Sequence, residues 1–101
     1  MNEAEITLVW STFPDEATAD RIARVLIEEG LCACANRLPT VTSIYRWQGE
    51  IEQANEVAVL FKCADGPVAA CRIAELHPYD LPAIELWPAR CSADLAKWVR
   101  G

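Results

Sequence analysis

Three groups of residues in this 101-residue chain have side chains that chemistry can use. The first is His77-Pro78-Tyr79-Asp80-Leu81-Pro82, which holds the only histidine. An imidazole in a loop is suited to ligating a metal or shuttling a proton. The prolines on either side of Tyr79-Asp80-Leu81 make the segment irregular and stiff, and so hold His77 in place. A tight metal site needs three or four ligands, so His77 also reads as the residue that closes a helix end. The second group is Cys32-Ala33-Cys34. On a strand these thiols point to one face and could share a soft cation such as Cu(I) or Zn²⁺. Their apolar neighbours Leu31, Ala33 and Ala35 favour core packing instead. Cys63, Cys71 and Cys91 stand singly and read as packing residues. The third group is Tyr45-Arg46-Trp47, with both aromatics on one side of a strand and Arg46 on the other. Aromatics near a hairpin tip suit a subunit interface, with plain core and a ligand platform as the alternatives.

Other chemistries lack their parts. There is no Gly-rich phosphate loop and no His-Glu-x-x-His. Nucleophilic triads usually need a histidine base, and the one histidine is already placed. Glu28-Glu29, Glu50, Glu52 and Glu56 are spaced like solvated helix and hairpin edges. A net charge of −6 and a pI of about 4.6 repel phosphate backbones and anionic lipid. Nucleic acid and membrane are therefore poor partners, and the aromatic pair is a poor RNA platform. The composition is 52% hydrophobic with four Trp, which reads as a well-filled core or as surface reserved for self-association. Residues 1–5 carry two acids where a secretory leader needs basic residues, and no apolar run reaches membrane-spanning length. Five cysteines, an odd number, do not form the framework of a secreted mini-protein. The expected home is the cytoplasm.

The elements that must position these groups follow from periodicity. Residues 6–10 read as a buried strand, and Pro14-Asp15-Glu16 starts a helix capped by Asp15. Ile22, Val25 and Leu26 keep helical spacing until Gly30 stops it. Residues 31–35 read as a short second strand, and Leu38-Pro39 as an extended turn. Residues 41–47 and 51–63 form a hairpin about Gln48-Gly49-Glu50, where Gly49 suits a positive φ. On its second arm Val57, Val59, Phe61 and Cys63 share one face, and Glu56, Ala58, Leu60 and Lys62 share the other. Asp65-Gly66-Pro67 opens a second helix carrying Ala69, Ile73 and Leu76. Residues 83–87 read as a last strand, and Ser92 caps a short helix holding Leu95, Trp98 and Val99. This order predicts one domain over residues 1–101. Its class is α+β: a ferredoxin-like split β-α-β sandwich with an antiparallel sheet and a long central hairpin.

These motifs together resemble the divalent-cation-tolerance (CutA-type) family. The resemblance rests on Thr12-Phe13-Pro14-Asp15, Ala33-Cys34-Ala35-Asn36, Ser43-Ile44-Tyr45-Arg46-Trp47-Gln48-Gly49, Glu56, Lys62 and His77-Pro78-Tyr79 before Pro82. Their shared order runs from about residue 6 to residue 98. It implies a non-enzymatic homotrimer, with the hairpin pairing across subunits, and a role in the response to copper and other divalent cations. His77 and Cys34, from the groups described above, are the candidate metal ligands. The resemblance implies Tyr45, Trp47, Glu56, Lys62, His77 and Tyr79 as residues that line or flank an inter-subunit cleft. No cofactor is expected to be required beyond copper or another divalent cation. Ser11 and Leu76 stand where some members carry Cys and His, Cys63 replaces a usual Thr, and Ala83 a usual Glu. The alternative reading is a trimeric small-molecule sensor of the PII-like kind.

Overall fold

The computed structural model describes residues 3–101; Met1 and Asn2, which open the 1–5 stretch considered above for a leader, lie outside the described residues. The elements in chain order are β1 (Glu3–Phe13), α1 (Glu16–Glu28), β2 (Cys34–Trp47), β3 (Glu50–Cys63), α2 (Gly66–Leu76), β4 (Ile84–Ser92) and α3 (Ala93–Arg100). The four strands make one antiparallel sheet in the order β2-β3-β1-β4. That is the α+β, ferredoxin-like arrangement expected from the sequence.

Strand alternation sorts the side chains onto two faces. Val9 and Phe13 of β1, with Val57, Val59, Phe61 and Cys63 of β3, pack under Ala19, Ile22 and Leu26 of α1 and Ala69 and Ile73 of α2. On the opposite face Ile6, Leu8, Ala89 and Cys91 meet Leu95, Ala96 and Val99 of α3. Trp98, expected in that helix's apolar set, points outward and is exposed. Each helix is capped at its N-terminus by a side-chain oxygen. Asp15 accepts from the Thr18 N–H at 2.7 Å, Asp65 from Val68 at 3.2 Å and Ser92 from Leu95 at 3.1 Å. Gly66 lets α2 start hard against the sheet, because a Cβ there would lie 2.2 Å from Thr7 Cγ2.

The hairpin is a consequence of its turn. Gln48 and Gly49 both have positive φ, 51° and 82°, the pattern of a two-residue turn whose twist matches that of the strands. Each arm is 14 residues long. At roughly 3.3 Å per residue such an arm reaches about 46 Å, which accounts for the 47 Å long axis.

β1 runs Glu3–Phe13 where residues 6–10 were expected, and three further boundaries differ from the expectation. The short strand at 31–35 and the strand at 41–47 are one strand, β2, that runs through Pro39. Its register against β3 shifts between Arg37 and Thr40, and β2 lies at the sheet edge, so the missing proline N–H is tolerated. Residues 31–33 precede the strand. The Leu31 and Cys32 N–H groups both donate to the Leu26 carbonyl, at 2.8 and 3.3 Å, and wrap the end of α1 around Gly30. Finally, β4 continues through Pro88 to Ser92 instead of ending at 87, and it too is an edge strand.

Candidate functional site

The loop at 77–83 is tied down at both ends by β1. At its start the His77 ring stacks on Phe13 with centroids 4.8 Å apart. His77 Nδ1 accepts the Tyr79 backbone N–H at 3.2 Å, so the proton resides on Nε2, which donates to the Thr12 carbonyl at 2.8 Å. At its far end the Ser11 hydroxyl, fully buried, donates to the Ala83 carbonyl at 2.8 Å. Between these anchors the prolines carry the chain across the end of the sheet toward the hairpin.

A cavity of about 800 Å³ lies where the loop faces the hairpin. Tyr45 and Trp47 of β2, Glu56 of β3 and Tyr79 of the loop all line it, with Asp80 and Arg46 also on its wall. The pairing of Val41 with Glu56 and Tyr45 with Glu52 puts the two aromatics on the Glu56 face of the sheet. Glu56 is only 8% exposed. Its Oε2 accepts the Tyr79 hydroxyl proton at 3.0 Å. Burial first, and the hydrogen bond to Glu56 second, push the Tyr79 hydroxyl up to about 12. The phenol therefore stays a donor through the neutral range.

Lys62 and Cys34 belong to a different place. Cys34 pairs with Lys62 in register, and Lys62 Nζ lies 3.8 Å from Cys34 Sγ and donates to the Asn36 side chain. Thr12, which receives His77, pairs with Ala58, four positions along β3 from Lys62. His77 and Cys34 thus stand at separate points of the sheet. Among the described residues, no three His, Cys, Asp or Glu side chains gather as a metal-binding group. Core packing, the reading favoured for the Cys32-Ala33-Cys34 motif, holds for Cys32, which precedes β2 and is buried. Its thiol sits in the core with Cys63, while Cys34 is half-buried beside Lys62. Burial pushes Cys32 up to about 11 and Cys63 to about 12, so both remain thiols.

Sequence reasoning missed the anchors. Ser11 stands among Val9 and Phe13 on the buried face of β1, and a polar residue in that row must find a partner. The Thr12 carbonyl left no trace in the sequence. Asp80 is visible in the loop motif, but only the folded loop shows that it lines the cavity.

Comparison with known proteins places this geometry. The sequence profile of the CutA1 divalent ion tolerance protein family matches residues 7–101. The divalent-cation tolerance protein CutA of Thermus thermophilus is 40% identical over 99 residues, covering 95% of this chain and 94% of that protein. Protein CutA of Homo sapiens is 34% identical over 98 residues and covers 94% of this chain, which spans about half (55%) of the human protein's length. Among solved structures, the T. thermophilus protein superposes with a TM-score of 0.87 at 40% identity, covering 96% of both chains. CutA1 from Ehrlichia chaffeensis gives 0.87 at 36% identity over 93% of this chain and 91% of that one. The periplasmic divalent cation tolerance protein CutA from Archaeoglobus fulgidus gives 0.87 at 28% identity, covering 95% of each chain. With a family profile spanning nearly its whole length and relatives this similar in sequence and fold, the chain belongs to the CutA1 divalent ion tolerance protein family.

Proposed function

We propose that this chain acts as a homotrimer in the cytoplasmic response to divalent metal ions, binds copper or another divalent cation weakly, and catalyses no reaction. The observation that carries the assembly is the apolar surface of the hairpin. Ile44 is 69% exposed and Ile51 78%, with Tyr45 and Trp47 also exposed nearby. β2 and β4 leave both edges of the sheet open, and Leu86 and Trp87 are exposed on β4. Long apolar edges on a lone protomer invite pairing with another chain. The trimeric count comes from the family resemblance. The net charge of −6 supports a partner list of self and metal cations rather than nucleic acid or membrane. No helix among the described residues is long and apolar enough to cross a membrane.

Weak metal binding follows from the donors. His77 must release the Tyr79 N–H before Nδ1 can take a metal, and Cys34 offers a single thiol. One donor at each point makes an exchangeable site. Calorimetric titration with Cu²⁺ tests this: the wild type should bind no tighter than the micromolar range, and the His77→Ala, Cys34→Ala double variant should lose the heat. Unchanged binding in that variant would move the metal elsewhere.

The cavity favours a second reading, a PII-like trimeric sensor of small molecules. Its 800 Å³ falls within the range of ligand sites.

A further inference from the structure

We propose that the cavity between the hairpin and the 77–83 loop receives an organic cation, a protonated amine or guanidinium on an aromatic or apolar body. This deepens the sensor reading and rests on it. The argument starts from Glu56. The residue is 8% exposed in the lone protomer, and among the described residues its side chain has one hydrogen bond, from the neutral phenol of Tyr79. It takes part in none of the ion pairs among the described residues. A buried carboxylate is costly unless a cation compensates it. Lys62 lies on the same face of β3, but its ammonium is turned to Asn36 and Cys34. Arg46 is on the cavity wall without an ion pair to Glu56, and Asp80 adds a second acid to that wall.

The walls define the missing cation. Tyr45, Trp47 and Tyr79 line the same cavity as Glu56, and a cation over an aromatic face is attracted by its quadrupole. A bare divalent ion suits the cavity poorly. Hard cations take six or more oxygen ligands, and among the described residues no group of three metal-binding side chains is present. An ammonium or guanidinium needs one carboxylate, a few aromatic faces and space for its carbon body. Those are the features the cavity has.

Calorimetry in amine-free phosphate buffer at pH 7 tests the proposal, with benzylammonium as the probe and benzyl alcohol and benzoate as its neutral and anionic counterparts. Benzylammonium should bind saturably and the other two should not. Glu56→Gln should weaken binding at least tenfold. If that variant fails to fold, Glu56→Asp, which keeps the charge, should still discriminate for the cation. Binding of benzyl alcohol or benzoate as tight as that of benzylammonium would overturn the cation assignment and leave a ligand-binding cavity standing. Silence toward all three probes, with Glu56→Gln lowering the assembled mass, would give Glu56 to a neighbouring copy's cation. That result would overturn the sensor reading as well.

Discussion

His77 commits both ring nitrogens to the backbone and its face to Phe13, so its first role is to hold the end of β1 and the start of the loop together. Replacing it with alanine removes two buried hydrogen bonds and a stacked ring. Urea denaturation of His77→Ala should show a loss of about 2–4 kcal/mol, and a change below 1 kcal/mol would deny the anchoring role. Tyr79 makes a prediction at alkaline pH. The phenol titrates near 10.0 when unfolded but near 12 in the fold, so its protonated form favours the folded state. That contribution is complete below pH 10 and disappears as pH rises toward 12. Cys32 and Cys63, raised from 9.0 to about 11 and about 12 chiefly by burial, act in the same direction from pH 9 upward. The urea midpoint should therefore fall between pH 9 and 12, and Tyr79→Phe should flatten the part above pH 10. The same burial protects both thiols. Iodoacetamide on the native protein should label the exposed Cys71 first and leave Cys32 and Cys63 unmodified by mass spectrometry. At this scale the residue types were legible in the sequence and their pairings were not. Tyr79 and Glu56 lie 23 positions apart, Ser11 and Ala83 lie 72 apart, and each contact exists only after the loop has crossed the end of the sheet.

At the scale of elements, local chemistry decided most boundaries. Asp15 and Ser92 cap the helices that their position announced, and Gly49 sits at the hairpin turn. The proline signals failed for a stated reason. Pro39 reads as a turn and the last strand as ending at residue 87, yet Pro39 and Pro88 both lie within edge strands, where a missing N–H is tolerated. Edge or centre is a property of the assembled sheet, which no short window of sequence contains. Gly66 gives the sharpest test of packing between elements. Gly66→Ala puts a methyl 2.2 Å from Thr7 Cγ2, so α2 must shift away from β1. A destabilisation of about 1–3 kcal/mol is expected from denaturant titration, despite alanine's better helix propensity. A stabilised variant would mean that the start of α2 yields easily.

At the scale of the whole molecule, the hairpin sets the character of the protein. It projects along a 47 Å axis and carries Ile44, Ile51 and two aromatics that a lone protomer leaves in water. In the trimer proposed above, self-association covers that surface, which ties assembly to the hairpin. Trp47→Ala, at the junction of the hairpin and the cavity, should weaken assembly by a few kcal/mol if the ring is an interface anchor. The most direct measurement is the solution mass of the wild-type protein by light scattering at low micromolar concentration. The account predicts a stable species of three times 11.2 kDa, unchanged on dilution. A protomer mass of 11.2 kDa across the same range would contradict it, because the exposed hairpin would then have no partner.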